Sequence, residues 1–136
     1  MLSPTSESIR LFLHVAAASV WVGGQIVVGG IVPAVRRASP STTKVIAQAF
    51  GRVAWPAFGV TVLTGMWSLM AIDISNTSSS YQATVLLKIA FAVAAGMFAA
   101  IHQFGKTKVA LAVGGALGLL ASLGAMFLGV VLTTAG

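Results

Sequence analysis

The sequence predicts an all-α integral membrane protein, an up-and-down bundle of four transmembrane helices, and three observations carry that expectation. Of the 136 residues, 57% are hydrophobic and 7% are charged, and the mean hydropathy is +0.98, far outside the range of water-soluble domains. Four apolar stretches, at roughly 9–35, 45–72, 83–104 and 109–132, each reach the ~20 residues that a helix needs to cross a hydrocarbon core. Almost nothing lies outside them. Residues 1–136 are therefore expected to form a single four-helix membrane domain, with any function built within it or at its edge.

The first stretch is longer than the apolar core of a signal peptide, and its positive flank is stronger on the far side, so it reads as a permanent span. Pro33, Ser39 and Pro40 mark the first loop. Pro56 falls early in the second expected helix, where it should bend the helix or mark its first turn. A turn-rich segment, 73–80, separates the second helix from the third. Gly105 precedes a short basic turn, so the third and fourth helices should form an antiparallel hairpin.

Small residues recur on the first helix, at Gly23, Gly24, Gly29 and Gly30, and on the fourth, at Gly114, Gly118, Ala121, Ala125 and Gly129. Such faces let backbones approach closely, which is how helices associate in lipid. They serve either packing within the chain or docking of a second copy or a larger membrane complex.

The net charge is +6. In a water-soluble protein that excess would suggest nucleic acid, but here the cations cluster at membrane ends and no nucleic-acid partner is expected. Arg36, Arg37, Lys44 and Arg52 flank the first loop, and Lys106 and Lys108 form the third. Positive loops are retained on the cytoplasmic side, which puts both termini outside the inner (plasma) membrane of a prokaryote. With no cysteine, disulfides and thiolate metal sites are excluded.

Polar groups at membrane depth are few: His14, Gln25, Thr61, Thr64, Ser68, Lys88, His102 and Gln103, with Arg10, Arg52 and Tyr81 near the boundaries. Ionisable groups within a span are costly, so each asks for a reason. At 1.5 Å per residue, His14 lies about 8 Å, and Lys88 about 8–10 Å, below the outer boundary. An outer-half site centred on these two residues is the expectation, with Thr64, Met66 and Met70 of the second helix and Met126 of the fourth at the same level. His102 falls near the opposite end of its helix. Lys88 has two readings: its stem carries the ammonium to the headgroups, or it faces inward and offers a cation to an anionic ligand such as a carboxylate-bearing porphyrin. Met66 and Met70, four apart, share a face, and with His14 or Met126 they supply the soft donors that Cu(I) prefers. Arg52 and Trp55 read as interfacial anchors, or Arg52 as a grip on a propionate or phosphate.

In LHVAAASVWVGG followed by VPAVRR, His14, Trp21, Gly23, Gly24, Pro33 and Arg36 form a pattern. The second helix adds Phe50, Arg52, Leu63, Thr64 and Gly65 in FGRVAWPAFGVTVLTGMWSL, and the third adds Lys88 in YQATVLLKIAF. Across nearly the whole chain this order resembles the membrane domain of copper-resistance protein D and its relatives, which include the HemJ-type protoporphyrinogen oxidases. The resemblance implies two activities. The copper-resistance relatives are associated with copper uptake, whereas the HemJ-type relatives bind haem b and oxidise a porphyrinogen, with a first-helix histidine and a third-helix lysine important. His14 and Lys88 match those positions.

The leading expectation is copper binding or transport, with His14, Met66, Met70 and Met126 as metal ligands and Lys88 tuning the site. The alternative is a haem b or porphyrin protein, with His14 as axial ligand, Lys88 as second ligand or propionate partner, and Trp21, Thr64 and Arg52 around the cofactor. A third is an accessory subunit of a membrane complex that holds no cofactor.

Overall fold

The computed structural model describes residues 1–134. It is all-α: α1 (Ser6–Ala38), α2 (Pro40–Ala71), a short 3-10 turn (Ile74–Asn76), α3 (Ser79–Phe104) and α4 (Lys108–Thr134). All four long helices are long and apolar enough to cross a membrane, so the chain is membrane-embedded. Internal contacts divide it into two units, Met1–Ile72 and Asp73–Gly136.

The first unit is the α1/α2 hairpin. Thr5 and Ser8 start α1 reciprocally: the Ser8 amide donates to the Thr5 hydroxyl at 3.1 Å and the Thr5 amide to the Ser8 hydroxyl at 2.7 Å, satisfying amides that a helix start leaves without partners. The loop expected around Pro40 shrinks to one residue, Ser39, because Pro40 is the first residue of α2. At that position its missing N–H costs nothing and its fixed φ suits the helix. Pro33 lies inside α1 rather than in a loop, and the residue four before it, whose carbonyl loses a donor, is Gly29. Because α2 begins at Pro40, Pro56 sits mid-helix, not in the first turn, where it withholds an amide from the Arg52 carbonyl.

Partners along the seam run in opposite directions on the two helices: Gly24 meets Phe50, Trp21 meets Trp55, and His14 meets Thr64. Gly24 is needed there, since a Cβ would collide with the Phe50 ring. Trp21 (5% exposed), Val22, Ala17 and Ala54 are buried. Trp21 packs on Trp55 and Phe58 at centroid distances of 5.3 and 4.6 Å, tilted geometries that aromatic rings favour.

The second unit opens with a loop closed by its own polar groups. Ser75 and Asn76 donate to the Asp73 carboxylate at 2.5 and 2.6 Å, and Gln82 of α3 donates back to the Ile74 and Thr77 carbonyls. Ser78 caps α3, accepting from the Tyr81 amide at 3.1 Å, and Thr107 accepts from the Ala110 amide at the start of α4.

As the Gly105 turn predicts, α3 and α4 are antiparallel: Gly114 lies against Phe98 and His102, Gly124 against Phe91, and Gly129 against Lys88. Gly114 and Gly118 of the Gly-x-x-x-Gly pair are both buried within this hairpin. At Gly114 a Cβ would lie 2.7 Å from the His102 amide nitrogen and 2.8 Å from the Phe98 carbonyl oxygen, so the glycine sets how closely the backbones approach.

Large apolar side chains lie exposed on all four long helices. Phe12, Leu63, Leu86 and Phe127 are 67–70% exposed, a distribution that would drive association in water and that hydrocarbon solvates.

Candidate functional site

The α1 face turned towards α2 reads Arg10, His14, Ala17, Trp21, a spacing of four, three and four that keeps the residues on one side of the helix. Arg10, Ala17 and Trp21 are buried and His14 is half-buried. A polar line thus runs along the seam of an otherwise apolar hairpin.

At its centre the His14 Nδ1 lies 2.8 Å from the Thr64 hydroxyl, and Thr64 is 5% exposed. That hydroxyl also donates to the Val60 carbonyl at 2.7 Å, with the Thr61 carbonyl at 3.1 Å. A hydroxyl has one proton to give and lone pairs to accept with. With its proton directed at the carbonyls of its own helix, Thr64 accepts from a protonated Nδ1, and the imidazole lone pair resides on Nε2. Cε1, the ring atom next to Nε2, faces Gly65, where even an added Cβ would stand 3.7 Å away. The Gly65 backbone thus lies beside this edge of the ring. A neutral histidine tied at one ring nitrogen carries its lone pair on the other, a state shared by ligating and by purely structural histidines.

Four other expected site residues, Met66, Met70, Arg52 and Trp21, lie on the same two helices. Met66 and Met70 are 54% and 85% exposed. Met66 follows Thr64 by two residues, about 200° around α2, so the thioethers leave the seam on which His14 lies. Arg52 is exposed and stands twelve residues before Thr64 on the same helix, about 18 Å along its axis. Trp21 lies two turns beyond His14 on the buried face, and its backbone carbonyl accepts from the Gln25 side chain at 3.0 Å.

Lys88 and Met126 belong to the second unit. Lys88 is half-buried, and its Nζ lies 3.0 Å from where a Gly129 side chain would begin. Gly129 is also its level partner in the α3/α4 register, so the ammonium crosses the seam onto α4 rather than running up its own helix. Met126 is 37% exposed. His102 is a tie between helices: its Nδ1 donates to the Leu111 carbonyl at 2.5 Å, and its ring lies over Gly115. The Gly114-Gly115 pair is the sequence signal for that contact. No group of three or more histidine, aspartate or glutamate side chains is placed to share a metal among the described residues.

One residue reads from sequence only as a boundary cation. Arg10 is 8% exposed, and its nearest acid is Glu7, 3.8 Å from a terminal guanidinium nitrogen. Its place four residues before His14, on the same face, is the signal that marks it.

Searches against models of protein families, curated proteins and solved structures find no match to this chain.

Proposed function

We propose that this chain is a small cofactor-binding protein of a prokaryotic inner membrane, with both termini outside, in which His14 binds the metal of a haem b-type porphyrin through Nε2. The observation that carries this reading is the His14–Thr64 hydrogen bond at 2.8 Å, with the Thr64 proton committed to Val60. It fixes the tautomer and the ring plane of one imidazole, which is what a single axial ligand requires. Gly65 beside Cε1, and Ala17 and Ala18 in the next turn of α1, offer little bulk against a flat group.

A bound haem would supply one-electron chemistry. The chain's own residues have simpler tasks: Thr64 holds His14 in its ligating tautomer, and Trp21 with Trp55 and Phe58 makes a rigid apolar floor along the seam. A copper relay has less support, because Met66 and Met70 leave the His14 face.

Purification in mild detergent, with visible spectroscopy and metal analysis on the same sample, separates the readings. A Soret band with about one iron per chain and no copper is expected. Stoichiometric copper without a Soret band would replace haem with copper. A colourless, metal-free protein that copurifies with membrane partners would favour an accessory subunit.

A further inference from the structure

At the start of α1 and the end of α2 the first unit contains a partly open cavity of about 300 Å³, lined by Ser6, Glu7, Arg10, Trp67, Ala71 and Ile72. Arg10 contributes a side chain that is more than nine-tenths buried, and its Nε has no hydrogen-bond partner among the described residues. Leaving a buried charged donor unpaired is costly unless something else accepts from it. Glu7 satisfies it poorly: the 3.8 Å separation is beyond hydrogen-bond range, and Glu7 is 72% exposed.

The cavity lies where two membrane-length helices begin and end. With 33 residues, α1 is about 50 Å long against a hydrocarbon core of ~30 Å, so about 20 Å of it, at one end or shared between both, extends past the core. Trp67, at 41% exposure, places an indole beside the cavity, as residues of the membrane interface do. The first turn of α1 also turns its partly positive end towards this side.

We infer that this cavity binds the headgroup of a zwitterionic phospholipid, with the phosphate on Arg10 and the ammonium on Glu7. Nε itself is closed off, so a phosphate in the cavity takes up the terminal guanidinium nitrogens, in the forked geometry that guanidinium groups offer phosphates. The neighbouring carboxylate would repel a purely anionic headgroup but complements an amine-bearing one. Trp67, Ala71 and Ile72 meet the glycerol and the upper acyl chain. This assignment is independent of any cofactor at His14.

The test is native mass spectrometry of the full chain in detergent, titrated separately with phosphatidylethanolamine, phosphatidylglycerol and inorganic phosphate. Wild type should retain phosphatidylethanolamine in preference to phosphatidylglycerol and should not bind inorganic phosphate measurably. Arg10→Gln should lose about tenfold or more in affinity for phosphatidylethanolamine, with helicity checked by circular dichroism. Glu7→Gln leaves Arg10 in place and should reverse the preference towards phosphatidylglycerol, a readout that stands even where Arg10→Gln fails to fold. Equal lipid retention by wild type and a folded Arg10→Gln, or an unchanged preference in Glu7→Gln, would overturn the assignment. Arg10-dependent binding of inorganic phosphate with no lipid preference would overturn the headgroup in favour of a free anion.

Discussion

Thr64 makes His14 more than a histidine in an apolar helix. A threonine that bonds back to its own helix normally spends its hydroxyl locally, but here the oxygen keeps a lone pair for the imidazole at 2.8 Å. Thr64→Val removes that acceptor at nearly constant volume, whereas Thr64→Ser keeps it. Cofactor occupancy in Thr64→Val should fall about 10–100-fold, as loss of a ligand's orienting partner does, while Thr64→Ser stays near wild type. Titration of haemin into the apo-proteins would measure both.

The pairing was partly legible in the sequence, since counting residues from the boundary puts Thr64 at the level of His14. Depth alone groups Met66 and Met70 with His14 in the sequence; the two-residue step from Thr64 to Met66, more than half a turn of helix, is what separates them in the structure. For Arg10 the spacing of four to His14 made only its face legible; the depth of its burial depends on how the end of α2, with Trp67 and Ala71, packs beside the first turns of α1.

At the scale of elements, each hairpin relies on glycines where backbones or rings come closest. Gly114 meets α3 backbone atoms that cannot move aside, whereas a Cβ added at Gly59 would meet nothing within 4 Å. Gly114→Ala should therefore destabilise the α3/α4 hairpin by about 1–3 kcal/mol, the usual cost of overpacking. Gly59→Ala should be neutral or slightly stabilising through helix propensity. Denaturant titration in mixed micelles would compare them. At Gly129 the neighbour is the flexible end of Lys88, so Gly129→Ala should be tolerated by a shift of that side chain. Helix number and type were legible from apolar run length, but the helix ends were not. Pro40 reads as a loop residue by composition, yet it is a favourable first helical residue, and that single fact extends α2 and moves Pro56 to its middle.

For the whole molecule, the length of α1 and α2 and the apolar character of the exposed side chains fit a bilayer, and the proposed orientation rests on the basic residues. The chain has no cysteine, so single cysteines report topology without background. Ser3→Cys should react with an impermeant maleimide in intact cells, and Ser41→Cys, beside the Arg36, Arg37 and Lys44 cluster, only after permeabilisation. The reverse pattern would put the Arg10 cavity on the cytoplasmic leaflet and leave the His14–Thr64 pair unchanged.

Cavity rescue tests most directly whether the His14 imidazole is itself the ligand. His14→Gly removes the ring but not the space it occupied, and the Soret region can be recorded with and without added imidazole. Ligation by His14 predicts a lost or shifted band in the folded variant and recovery of the wild-type spectrum with millimolar imidazole. A wild-type band in His14→Gly, or an absent band in the wild-type protein, would contradict it.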